Sequence, residues 1–226
     1  MSTQWALKHG LQRHVSDELW SAFLAGGEIT HFRPRAMLVR QGEMSPSMLV
    51  LVQGRVKVLA ADENGSDQLL AIRTAGDLVG ELGDGGTART ATVIAMDPCV
   101  AYRITHRKFH GLLAKHDAYI AYSDYLTDKA LQNVPYQVRL RHFPPRQRIA
   151  RLLLDIAALG GPELPDRMRI PCSLGTLAKA LGLERGTVAV QVSSLRVDGA
   201  LRPGPGLAVA DMTRLRHAAG IAHCPR

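Results

Sequence analysis

Residues 80–92 read Gly80-Glu81-Leu82-Gly83-Asp84-Gly85-Gly86-Thr87-Ala88-Arg89-Thr90-Ala91-Thr92, between two apolar runs, Asp77-Leu78-Val79 and Val93-Ile94-Ala95. Glycines without side chains let backbone N–H groups crowd around an anion. Arg89 presents a planar fork of donors matched to phosphate oxygens, and Glu81 is an acceptor suited to sugar hydroxyls. The stretch therefore reads as a pocket for a sugar phosphate. The spacing Gly83-x-Gly85-x-x-Ala88 also fits a dinucleotide fingerprint, but that motif must open a helix. Thr90-Ala91-Thr92-Val93-Ile94 is β-branched and alternating, which predicts a strand instead.

Working outward, short β-type runs fill residues 30–104: 37–39, 48–52, 56–59, 69–72, 93–95 and 100–104. Turn residues separate them, at Gln41-Gly42-Glu43, Gln53-Gly54, Asn64-Gly65 and Ala75-Gly76-Asp77. Such punctuation predicts a sandwich, roll or barrel, with Asn64-Gly65 as a hairpin turn. Upstream, Ser16-Asp17-Glu18 starts a helix that Gly26-Gly27 ends. Downstream, helical spacing begins at Lys108-Phe109 and continues over 117–134, with Tyr119, Tyr122, Leu126, Ala130 and Val134 on one face. Lys129 interrupts that seam, and Pro135 kinks or ends the helix. His142-Phe143-Pro144-Pro145 reads as a hinge into a helix over 146–159, with Ile149, Leu152, Leu153 and Ile156 inward and Arg146, Arg148 and Arg151 outward.

A second motif spans residues 173–195. Ser173 caps a first helix on Leu174, Leu177, Ala178 and Leu181, Gly182 supplies a tight turn, and Val188, Val192 and Leu195 give a second helix its apolar face. That is helix–turn–helix spacing. Residues 198–209 read as strand, turn, strand, the form of a wing. Arg185 can bond guanine O6 and N7 bidentately, and Ser173, Thr187 and Gln191 complete the candidate DNA-contacting set, with Ser194 nearby. Charge agrees: residues 1–135 are balanced, and the whole net charge of +8 lies in residues 136–226. A neutral front and basic back suggest a sensing part and a polyanion-binding part.

The order Gly-Glu-Leu, short turn, Arg-Thr-Ala resembles the phosphate-binding cassette of cyclic-nucleotide-binding domains in Crp–Fnr regulators. Val39-Arg40-Gln41-Gly42-Glu43, Leu51-Val52-Gln53-Gly54-Arg55-Val56-Lys57-Val58 and Ala75-Gly76-Asp77-Leu78-Val79-Gly80-Glu81 look like the jelly-roll signature of that fold, over residues 30–115. Residues 144–211 resemble the winged helix of the same regulators. The resemblance implies an α+β fold with a cyclic-nucleotide-binding β-roll (jelly roll) over 1–115, a long connecting and dimerisation helix over 116–141, and a winged helix–turn–helix over 142–226. By that resemblance Glu81 holds the ribose 2′-OH, Arg89 holds the cyclic phosphate, and Gly80, Leu82 and Thr90 surround it. The connecting helix meets the base near Gln132 and Asn133. Two departures stand out. Glu81 and Arg89 are eight residues apart, shorter than usual, with Asp84-Gly85-Gly86 replacing an aliphatic half-turn. Gly186 and Val190 stand where the family's recognition helix has Glu and a second Arg.

The implied protein is a homodimeric, cytoplasmic transcription regulator acting on double-stranded DNA and RNA polymerase. No cofactor is required; its effector would be cAMP, cGMP, another nucleotide messenger, or none. Alternatives are a ligand-independent regulator, or a nucleotide-sensing module whose basic domain recruits a protein. An enzyme ranks last, since no G-x-S-x-G, H-E-x-x-H or Walker motif appears. Cys99, Cys172 and Cys224 form neither a disulfide nor a zinc framework and read as apolar fillers. His106 and His110 share a helical face but lack an evident third ligand, so no metal is expected. No apolar run has membrane-spanning length, and the N-terminus lacks a signal region.

Overall fold

The structure is a computed structural model that describes residues 8–61, 67–82, 87–134 and 136–221. The Asn64-Gly65 turn, the Asp84-Gly85-Gly86 segment, Pro135 and Cys224 lie outside the described residues. Two helices come first, α1 (Gly10–His14) and α2 (Asp17–Gly26). The Ser16 hydroxyl caps α2 by accepting from the Leu19 N–H at 3.2 Å, and Asp17 and Glu18 favour the positive end of the helix.

Strands follow in the order β1 (Glu28–Phe32), β2 (Met37–Val39), β3 (Ser47–Gln53), β4 (Val56–Ala61), β5 (Asp67–Arg73), β6 (Leu78–Val79), β7 (Thr92–Ala95) and β8 (Cys99–Thr105). They form two four-stranded antiparallel sheets, β1-β8-β3-β6 and β2-β7-β4-β5. Strand β3 shows why the sheets stack. Leu49 and Leu51 point between them toward Val56, Val93 and Ala101, while Met48 and Val50 point outward under the helices. Side chains alternate faces along a strand, so a strand buried on both sides reads as one apolar run.

Helices α3 (His106–Lys115), α4 (Tyr119–Gln132) and α5 (Tyr136–Arg139) leave the roll. The helical spacing expected from Lys108 to Val134 is divided between α3, which starts two residues earlier at His106, and α4, with Asp117 at φ +49° in the break. The seam also differs from the expected one. Tyr122, Tyr125 and Lys129 face the roll and are buried, whereas Ile120 (79% exposed) and Leu131 (71%) face away.

The C-terminal part comprises α6 (Pro145–Ala158), β9 (Arg169–Ile170), α7 (Leu174–Leu181), α8 (Arg185–Val197), β10 (Leu207–Ala208) and α9 (Met212–Ala218). Pro145 occupies the first turn of α6, where its missing N–H costs nothing. Ile149, Leu152, Leu153 and Ile156 are buried as expected, but the three arginines do not form an open basic face. Arg146 donates to Ser194 Oγ and pairs with Asp198, Arg148 donates to the Leu181 carbonyl, and Arg151 lies 3.8 Å over the Phe143 ring. Arg146 and Arg148 fasten α6 to the helix–turn–helix, while Arg151 holds Phe143 just ahead of α6.

This C-terminal part, the head, is docked on the roll. Arg55, with no exposed surface, pairs with Asp97 through Nε at 2.6 Å and Nη2 at 3.1 Å. The same guanidinium donates to the carbonyls of Ile156 (2.8 Å) and Arg169 (3.0 Å) in the head. Thr74 Oγ1 donates to the Leu159 carbonyl at 3.0 Å, and Leu59, Leu69, Ile72 and Met96 of the roll join one apolar cluster with α6 and α7.

Candidate effector site and DNA-reading face

The turn after β6 delivers the cassette. Gly80 sits at φ +80°, and a Cβ there would lie 3.1 Å from the Arg89 guanidinium carbon, so glycine is needed for both backbone and space. Arg89 is buried and folds onto the carbonyls of Gly80 and Ser47, with Ser45 O at 3.5 Å. Burial pulls its pKa below the ordinary arginine value. Glu81 is buried too, and its Oε1 lies 2.7 Å from Lys129 Nζ of α4. That ammonium also donates to the Leu78 carbonyl at 2.5 Å and lies 5.4 Å from the Tyr125 ring centroid.

Arg73, at the end of β5, reaches across to the end of α4. It donates to Gln132 Oε1 at 2.7 Å, to Asn133 Oδ1, and to the Lys129 carbonyl at 3.4 Å. Gly80, Glu81, Leu82, Arg89, Thr90 and Asn133 therefore line one cavity of about 70 Å³, joined by Arg73 and Lys129. Leu82 and Thr90 are exposed at its rim. Beneath it, burial raises the Asp77 pKa against the pull of Lys129 and Arg73, and raises the Tyr125 pKa with help from the Asp77 and Glu81 charges. Tyr125 accepts from the Leu78 N–H at 3.0 Å and donates to Asp77 Oδ1 at 3.4 Å, which ties α4 to the cassette strand.

In the head, Ser173 caps α7 by accepting from the Thr176 N–H at 3.1 Å. Gly182, left-handed at φ +59°, closes the turn. Val188, Val192 and Leu195 have no exposed surface, so α8 is held by one face alone. Its other face presents Arg185, Gly186, Val190 and Ser193 to solvent, with Thr187 and Gln191 half-buried at its flanks. The wing forms as β10 pairs with β9, and Leu201 bridges Val209. Arg185, Thr187 and Gln191 thus share one helix, whereas Ser173 lies at the start of the preceding one with its hydroxyl engaged in the cap.

With this geometry in view, two family descriptions match the chain: the cyclic nucleotide-binding domain over residues 29–116 and the Crp-like helix-turn-helix domain over 147–218. The cAMP-activated global transcriptional regulator CRP of Pasteurella multocida is 30% identical over 172 residues, covering 74% of this chain and 81% of that protein. The chain belongs to the Crp–Fnr superfamily of transcription regulators. Its Salmonella typhimurium relative of the same description is 29% identical, covering 79% of this chain and 87% of that one. Among solved structures, this Crp–Fnr regulator is similar to a CRP-family transcriptional regulator from Thermus thermophilus. That match has a TM-score of 0.69 at 25% identity and covers 84% of this chain and 96% of that one. The c-di-GMP responsive global regulator CLP of Xanthomonas campestris shares the fold, with TM-score 0.68 and 21% identity, over 87% of this chain and all of that one.

Sequence reasoning missed two cassette cations of this Crp–Fnr regulator, Arg73 and Lys129. The signal for Lys129 was present, as a charge inside an apolar seam, but reading it as a flaw in a helix pairing hid its partner. Elsewhere, His110 stacks on Tyr119 with ring centroids 6.0 Å apart, and His106 is buried. Among the described residues, no group of three or more His, Cys, Asp or Glu side chains gathers to hold a metal, and no helix is long and apolar enough to cross a membrane.

Proposed function

We infer that this regulator reads a specific operator through α8 and is controlled by a small nucleotide-type effector in the β-roll. The observation that carries the reading is the exposed outer face of α8, led by Arg185, on a helix whose inner face is wholly buried. An arginine there can read guanine in the major groove. Its curated relatives are cAMP-activated, which puts cAMP first among candidates, with cGMP and other nucleotide messengers behind it. Glu81 is the ribose partner and Arg89 the phosphate partner, with Gly80, Leu82, Thr90 and Asn133 completing the pocket. An effector must first displace Lys129 from Glu81 and draw Arg89 off its carbonyls, and the first of these steps moves α4.

The working division is a roll over 1–115, connecting helices over 116–141 and a reading head over 142–226. Ile120 and Leu131, with Val134 and Val138 beyond, form an exposed apolar stripe suited to a second copy of α4. A dimer of this kind spaces its half-sites by about one helical turn, ~34 Å. RNA polymerase is the expected further partner. A second reading is favoured by the engaged state of Glu81, Arg89 and Asn133: a regulator that needs no effector.

Calorimetry against cAMP, cGMP and cyclic dinucleotides, with and without selected operator DNA, tests both readings. Binding that Arg89→Ala abolishes supports effector control; operator binding with no nucleotide affinity supports the second reading. Loss of salt-dependent DNA binding altogether sinks the assignment of the head. Sedimentation equilibrium decides the dimer.

A further inference from the structure

A second cavity, of about 340 Å³, lies where the roll meets the head. Its walls come from residues 8–14, the end of β5, one face of α4, Arg139 of α5 and the last turn of α6. The volume is about five times that of the cassette cavity and falls in the range of small-molecule sites, roughly 300–1,000 Å³.

Three arginines line it from three different elements, Arg13, Arg73 and Arg139, together with Lys8 and Lys129 and against the carboxylates of Asp77, Asp128 and Asp155, five cations to three anions. Arg73 is only 2% exposed, and its Nε has no hydrogen-bond partner among the described residues. A buried donor left in that state is costly, and an incoming acceptor would relieve it. Arg13 rests on Asp128 at 3.1 Å and Arg139 on Asp155 at 3.5 Å, through partly exposed pairs of the kind that hold weakly. Arg13 can therefore swing from Asp128 to an anion in the cavity, and Arg139 borders the same space beside Asp155. Ile72, Ala158 and Leu159 supply an apolar floor.

The geometry points to a second binding site, which shares the Arg73 and Lys129 wall with the cassette cavity but not Glu81 or Arg89, for a small organic anion bearing two or more phosphate or carboxylate groups. Arginine forks match both groups, and three of them spaced around one cavity favour a multiply charged ligand over a single anion. Because the walls belong to both roll and head, such a ligand stabilises the docked arrangement, and head position in turn alters its affinity.

The test is calorimetry of the full chain at physiological salt with inorganic pyrophosphate and with citrate, which separate phosphate from carboxylate chemistry. At least one probe should bind, and Arg13→Gln/Arg139→Gln should weaken it by roughly tenfold or more for each guanidinium removed. Arg89→Ala should bind the probe as the wild type does. The proposal is overturned if neither probe binds, if the double variant binds unchanged while still folded by circular dichroism, or if Arg89→Ala alone abolishes binding. The last result would place the anion in the cassette.

Discussion

Lys129→Met separates a lysine that competes with the effector from one that helps to bind it. The ammonium lies 2.7 Å from Glu81 Oε1, with both side chains buried. Removing it strips the buried carboxylate of its ion-pair partner, with the Arg89 charge still acting on it, which costs about 3–5 kcal/mol. At roughly 2–4 °C per kcal/mol for a chain of this size, Tm should fall by roughly 6–20 °C. Glu81→Gln in the same chain should recover much of that loss, because the uncompensated charge is gone. Nucleotide affinity should move the other way. A hydrogen bond to a charged group is worth about 1.5–3 kcal/mol, so freeing Glu81 should tighten binding roughly 10- to 150-fold. The assay is calorimetry of wild type and variant against the same nucleotides, below the variant's lowered Tm. Unchanged binding by a folded Lys129→Met would refute the competitor role, and weaker binding would make Lys129 a contact to the effector instead.

Other outcomes follow from the same contacts. Arg55→Met strands Asp97 and cuts two bonds to the head, so stability should drop by about 3–5 kcal/mol, and Arg55→Met/Asp97→Leu should restore most of it in urea unfolding. Arg185→Ala should cost about 1–3 kcal/mol at one base of each half-site and flatten that position in a selected operator logo; an unchanged logo would remove Arg185 from the reading face. For Asp77 the folded pKa is raised above 3.8 by burial, so the folded state holds the extra proton. Its favourable contribution is therefore present in acid and is lost as pH rises through the folded pKa. Asp77→Asn should flatten that slope and gain stability over wild type toward neutral pH; a constant difference across pH in urea midpoints would contradict it.

The roll was legible because its strands announce themselves locally. Residues 47–53 alternate between two buried faces, and the glycines at 42, 54 and 76 fall in the turns at positive φ. The reading head was equally plain, since Ser173, Gly182 and the apolar trio of α8 each do a local job. Other features carry no local mark. Strands β6 and β9 are two residues long and exist only through their neighbours. Arg55 finds Asp97 42 residues away and Ile156 101 residues away, so its purpose could not be read from its surroundings in the chain. Lys129 and Arg146 show the same limit in reverse. Periodicity placed them on helix faces, but only the packed partner says whether such a charge meets water, a carboxylate or a nucleic acid.

The apolar patch of Leu59, Leu69, Ile72 and Met96 bears on protein engineering. A chimera that grafts another regulator's head after the Pro144-Pro145 junction would meet a surface shaped for α6 and α7 of this chain alone. Successful transplants should therefore carry those four roll residues, and Arg55, along with the new head. Grafts that leave them behind should precipitate or melt in two steps.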